Sequence, residues 1–205
     1  MRKLLMECIG TMFLMMAVAL TGNNPIAVGF MLAVMVYSGG HLSGAHFNPA
    51  VSLAAWMRGK LGVADMVKYM VAQLVGACLG WLVHNYLVGG STAPMAVEGH
   101  PLMHGMVAEA LLAFALVTVV LNMMSSRSSG NPAGGLAIGF TLAAGVYMVG
   151  GVSGGALNPA VGIGPAVMEA VTGGGFDANT LALYGVGPLV GGALAAVVYK
   201  FLNEG

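Results

Sequence analysis

The sequence predicts an all-helical membrane protein, with six transmembrane helices and two shorter re-entrant half-helices arranged as an inverted repeat. Three observations carry that prediction. Of the 205 residues, 58% are hydrophobic and 7% charged, whereas soluble domains carry about a quarter charged residues; this chain lacks the polar groups to coat a water-facing surface. Six apolar runs are long enough to cross a hydrocarbon core. The triplet Asn-Pro-Ala occurs twice, at Asn48-Pro49-Ala50 and Asn158-Pro159-Ala160, and each copy opens an apolar run too short to cross.

The first run is Leu4–Leu20. Arg2-Lys3 ahead of it and Ala17-Val18-Ala19 within it also fit a cleavable signal peptide, against which stands Glu7 inside the run. The turn signal Gly22-Asn23-Asn24-Pro25 separates it from the second run, Thr21–Tyr37. A glycine-rich loop, Ser38–Phe47, leads to the first short segment, Asn48 to Met57. As a helix its ten or so residues measure roughly 15 Å, half of a core about 30 Å thick. Met66–Val88, Met106–Met124 and Ala133–Val149 are the next three spans; the loop Gly150–Leu157 and the second short segment follow, and Leu181–Leu202 closes the set.

With six spans, all seven basic residues fall on one side: Arg2, Lys3, Arg58, Lys60, Lys68, Arg127 and Lys200. The positive-inside rule makes that side, and both termini, cytoplasmic. Zero formal net charge leaves no electrostatic case for nucleic acid. No nucleophile–base pair or metal triad falls at membrane depth, which weighs against an enzyme. No cofactor is implied.

Residues 1–205 read as one domain in two copies, repeat one about 1–100 and repeat two about 101–205. Glu7 returns as Glu109, Asn48-Pro49-Ala50-Val51 as Asn158-Pro159-Ala160-Val161, and Tyr69 with Leu74-Val75-Gly76 as Tyr184 with Leu189-Val190-Gly191. Three spans per copy is an odd number, so the second copy enters from the opposite side, and the functional site belongs at the interface of the halves. Asparagine is a favoured N-cap, and proline suits the first helical position. The two half-helices then meet amino end to amino end near the midplane. Irregular backbone at that depth must be buried or line a water-filled cavity. The loops before the triplets therefore offer a ladder of carbonyl oxygens, from Ser43, Gly44, Ala45 and His46 on one side and Gly154, Ala156 and Leu157 on the other.

The paired triplets, Gly-His-Leu-Ser-Gly-Ala-His at Gly40–His46, Gly-Pro-Ala at Gly164–Ala166, the two glutamates and the run Val186–Gly192 together resemble the aquaporin, or major intrinsic protein, family over nearly the whole chain. The resemblance implies a right-handed bundle in the lipid bilayer of the cell membrane. It also implies one pore per subunit, a homotetramer, and passive passage of water and small neutral solutes. Asn48 and Asn158 would donate to a passing oxygen, Glu7 and Glu109 would hold backbone amides of the loops, and half-helix dipoles would repel cations.

Most relatives carry arginine after the second triplet; here it is Val161. Counting from the asparagines, the remaining filter positions fall on Val28, Val146 and Gly155, with Gly29 and Gly145 as small neighbours. A slip of one residue would place Tyr147 or Phe30 in the lining instead. Such a filter is wide, apolar and uncharged, which adds glycerol, urea, ammonia and uncharged metalloid hydroxides to the candidate cargo. A facilitator of these with little water role, a gradient-coupled transporter and a closed structural member are the alternatives.

Other residues have plainer readings. His41 and His46 lack a third metal ligand nearby, and Cys8 and Cys78 read as buried hydrophobes. His84, His100 and His104 are solvated histidines, or a pH gate. Gly76-x-x-x-Gly80, Gly135-x-x-x-Gly139 and Gly187-x-x-x-Gly191 mark faces for close helix contact.

Overall fold

The computed structural model describes residues 1–89, 100–125 and 131–204; Arg127 lies outside them. Eight helices are found there: α1 (Arg2–Leu20), α2 (Pro25–Ser43), α3 (Pro49–Met57), α4 (Val63–Leu87), α5 (Leu102–Met123), α6 (Gly134–Ser153), α7 (Pro159–Val171) and α8 (Gly187–Glu204), the last preceded by a π-helical turn, Leu181–Val186. Among the described residues six segments are long and apolar enough to span a membrane, and α3 and α7 are the two half-helices. The whole is a helical bundle in which three spans and one half-helix recur in each half.

Each boundary has a local cause. The Asn24 side chain caps α2, with Oδ1 accepting from the N–H groups of Ile26 and Ala27 at 3.1 and 3.2 Å, and Pro25 sits in the first turn. Asn48 and Asn158 cap α3 and α7 in the same way, with proline next in each. α2 ends at Gly44 (φ 89) and α6 at Gly154 (φ 83), left-handed positions that glycine adopts freely.

The helical ends differ from the sequence expectation at one place in each half. Ser38–Ser43 and Gly150–Ser153 read as loop because glycine disfavours helix, yet both are helical. Within a membrane, backbone groups must be paired inside the segment, and that requirement outweighs a propensity cost of about 1 kcal/mol per glycine.

The glycine pairs join the bundle. α1 packs on α4, α2 on α6 and α5 on α8. A methyl group on Gly76 would strike the Cys8 carbonyl, and one on Gly80 would lie 2.6 Å from the Met12 carbonyl, both on α1. Gly139 meets Gly29 of α2, and Gly191 meets Ala110 of α5. Dispersion between backbones in direct contact replaces the hydrophobic drive that lipid withholds. The half-helices cross between repeats: α3 rests on α8 and α7 on α4.

Candidate functional site

Two buried carboxylates build the site. Glu7 and Glu109 are fully buried, each on the first span of its half. Glu7 accepts from Ser43 Oγ at 2.6 Å, from the His46 N–H at 3.0 Å and from the Phe47 N–H at 2.7 Å. Glu109 accepts from Ser153 Oγ at 2.7 Å, from the Ala156 N–H at 2.9 Å and from the Leu157 N–H at 2.6 Å. These loop amides have no helical partners, and an unpaired buried N–H costs about 1–3 kcal/mol. A carboxylate with two oxygens satisfies both amides at once.

The loops themselves are strained. Gly44, Ala45 and Phe47 hold φ of 89°, 51° and 48°, and Gly154, Gly155 and Leu157 hold 83°, 67° and 51°. A non-glycine residue in that region costs roughly 1–2 kcal/mol, so the glutamate bonds offset a real penalty. The left-handed turns direct N–H groups at the glutamates. Tyrosines fix the loops from the far side: Tyr69 Oη donates to the Ser43 carbonyl at 2.8 Å and Tyr184 Oη to the Ser153 carbonyl at 2.5 Å.

The asparagines then lock the two loops together. Asn48 Nδ2 donates to the Leu157 carbonyl at 2.9 Å, and Asn158 Nδ2 to the Phe47 carbonyl at 2.8 Å. Each Oδ1 accepts from its own half-helix, from the N–H of Ala50 at 2.8 Å and of Ala160 at 3.0 Å. An amide nitrogen has two protons, so each asparagine keeps one beyond this exchange.

Both asparagines border a narrow cavity of about 20 Å³, together with Val28, Gly155, Val161, Ala45, His46 and Ala156. Val146 is buried beside it, with its Cα 3.2 Å from where a Cβ on Gly155 would sit. Tyr147 is 64% and Phe30 50% exposed, and neither ring borders the cavity. On the basic face a second, wider cavity of about 430 Å³ has Lys3, Arg58 and Lys60 on its wall and shares His46 with the first. Ser43 and Gly44 border this wider mouth.

Not every carbonyl of the expected ladder faces the cavity with both lone pairs available. Those of Ser43 and Leu157 accept from Tyr69 and Asn48 as above, and that of Gly154 accepts from Asn23 Nδ2 at 2.6 Å. Pro49, Ala50, Pro159 and Ala160 are buried in the first turns of the half-helices.

Two residues of this site were missed in the sequence. Gln73 Nε2 donates to Glu7 Oε2 at 2.8 Å and to Ser52 Oγ at 3.0 Å, and Ser52 Oγ shares a 3.0 Å bond with His46 Nδ1. A glutamine inside the apolar run Met66–Val88, four residues after Tyr69, was the available signal.

Comparison with known proteins places this arrangement. A family model described as "Major intrinsic protein" matches residues 1–199. The chain is 35% identical over 176 residues to the probable aquaporin TIP2-2 of Oryza sativa subsp. japonica, covering 85% of this chain and 68% of that one. It is 32% identical over 188 residues to aquaporin AqpM of Methanothermobacter marburgensis, covering 87% and 76%. In fold it is similar to the solved aquaglyceroporin from Plasmodium falciparum, with a TM-score of 0.83 over 99% of this chain and 97% of that one, at 22% identity.

Proposed function

The chain belongs to the major intrinsic protein family and is a passive membrane channel for water and small solutes, and we propose that its own character lies in a wide, apolar, uncharged filter. The observation that carries this reading is Val161, which borders the same cavity as Val28, Gly155 and Asn158 and has no charged neighbour among the residues that line it. Val146 is buried behind Gly155. A guanidinium at 161 would narrow the throat and add a fixed positive charge; a valine does neither.

The mechanism follows from the donors. A water at the midplane meets the spare N–H of Asn48 and that of Asn158. Its lone pairs are then occupied, so it cannot accept from a neighbouring water, and the proton wire is broken there. The amino ends of α3 and α7 add partial positive charge at the same point, which raises the barrier to cations. Carbonyls of Gly44, Ala45, His46 and Ala156 supply acceptors on either side. Nothing is consumed, and flux follows the solute gradient. Glycerol, urea, ammonia and uncharged metalloid hydroxides fit a throat of this chemistry beside water. Both termini lie in the cytoplasm, on the face with the basic residues, and the subunit works within a homotetramer of the cell membrane.

A liposome swelling assay tests the filter. Native channel carries glycerol and urea; Val161→Arg lowers both by roughly ten-fold while water flux stays within about two-fold. Native channel that carries neither solute, or a Val161→Arg channel that carries them unchanged, overturns the reading.

A further inference from the structure

The turn between α1 and α2 is pinned from within, except for one side chain. The Asn23 N–H donates to the Val18 carbonyl at 2.7 Å, Thr21 Oγ1 donates to the Ala17 carbonyl at 2.6 Å and accepts from the Asn24 N–H at 3.2 Å, and Asn24 caps α2. Asn23 stands in the left-handed region with φ 58, where asparagine is tolerated. Its side chain leaves the turn and reaches the other half of the molecule, donating to the Gly154 carbonyl at 2.6 Å.

That carbonyl lies between two glycines beside the throat. Gly154 and Gly155 are consecutive glycines, both left-handed, with φ 83 and 67. The Gly154 N–H, one peptide earlier, donates to the Gly150 carbonyl at 3.1 Å. The Gly155 N–H, on the same peptide as the Gly154 carbonyl, donates to Ser153 Oγ at 3.1 Å, so Asn23 and Ser153 hold the two ends of one plane. The peptide plane between the two glycines carries the carbonyl that Asn23 holds, and rotation of that plane moves Gly155, which borders the duct. With valine at 161, α7 offers no side-chain hydrogen-bond donor to this backbone.

We propose that Asn23 is a positioning residue for selectivity: by holding the Gly154 carbonyl it fixes the Gly154–Gly155 peptide and so sets the aperture of the throat. The inference rests on the filter reading above, in which Gly155 is one wall. Asn23 does not border the duct and touches no solute. A neutral hydrogen bond biases a local equilibrium by roughly a factor of five, so its loss releases the peptide into wider arrangements that favour the larger solute.

The experiment compares glycerol and water permeability in proteoliposomes for native channel, Asn23→Gly, Asn23→Asp and Val161→Arg. Glycine accepts φ 58 without strain, so Asn23→Gly removes the tie and keeps the turn. Asp has the same shape but no proton to give, and turns an oxygen towards an oxygen. The expected result is a glycerol-to-water ratio raised about three-fold or more in both Asn23 variants, with water flux retained. A structural role alone would lower both fluxes together and leave the ratio fixed. An unchanged ratio in Asn23→Gly overturns the inference, and so does loss of both fluxes in that variant. Val161→Arg separates the two failures. If it suppresses glycerol while Asn23→Gly leaves the ratio unchanged, Asn23 alone is wrong; if it leaves glycerol untouched, the filter reading has failed.

Discussion

The two halves hold their loops with the same bonds and surround them with different walls. The glutamate, serine, tyrosine and asparagine contacts match one for one, within 0.3 Å at every pair. Around them the chemistry diverges. Repeat one has His46, Ser52 and Gln73; the matching positions of repeat two are Ala156, Gly162 and Pro188. A polar chain from the basic-face mouth to Glu7 thus has an apolar counterpart, where the Tyr184 ring fills the space that a side chain at 162 would need. The duplicated part makes the loops possible. The divergent part decides what the loops present to a solute.

The largest effect should come from breaking what the halves share. Glu109→Ala leaves the N–H groups of Ala156 and Leu157 and the Ser153 hydroxyl without their acceptor. At about 1–3 kcal/mol for each buried donor, this is comparable to the whole stability of a typical fold, so water permeability should fall more than ten-fold. Glu7→Ala should be severe but milder. Gln73 lies against Glu7, and its Oε1 has no partner among the described residues, so a turned amide supplies an acceptor that repeat two lacks. Equal losses in a purified-channel flux assay would remove Gln73 from the comparison.

Exchanging the divergent residues should cost less and unequally. A side chain at 162 meets the Cβ and ring of Tyr184, and overpacking of that kind costs about 1–3 kcal/mol, so Gly162→Ser should lower the detergent melting temperature by several degrees. Ser52→Gly removes the partner of His46 Nδ1 and one acceptor of Gln73, at roughly 1–2 kcal/mol. If Gly162→Ser melts like native protein, Tyr184 is not held as tightly as its 2.5 Å bond to Ser153 indicates.

This division also explains what the sequence disclosed. The shared parts repeat, and repetition is visible: Glu7 with Glu109, the two Asn-Pro-Ala triplets, Tyr69 with Tyr184, and the glycine pairs all pointed to contacts the structure contains. The divergent parts occur once. Gln73 and Ser52 have no like residue at the matching positions, Pro188 and Gly162, to single them out. Asn23 was legible as a turn former, but its reach of 131 positions to Gly154 has no local signature. The π-helical turn at Leu181–Val186 was hidden for another reason: a single wide turn leaves the apolar run unbroken. Helix ends at Ser43 and Ser153 were misplaced because glycine propensities describe helices in water, not in lipid.

The smallest effect should separate the two ends of the duct. His46 borders both the narrow cavity and the basic mouth, and its ring stands edge-on to Tyr69 at 5.2 Å between centroids. His46→Ala makes this wall like that of repeat two, where the matching residue is Ala156. It removes the bond to Ser52 and the ring contact, a loss of about 1–2 kcal/mol that the remaining Glu7 bonds should absorb. If solutes are selected at Val161 and Gly155, widening the other end changes little: water flux should rise by less than about two-fold, with the glycerol-to-water ratio constant. A ratio that moves more in His46→Ala than in Val161→Arg would put the selective constriction at the basic end. The polar wall of repeat one, rather than the apolar one of repeat two, would then be the filter.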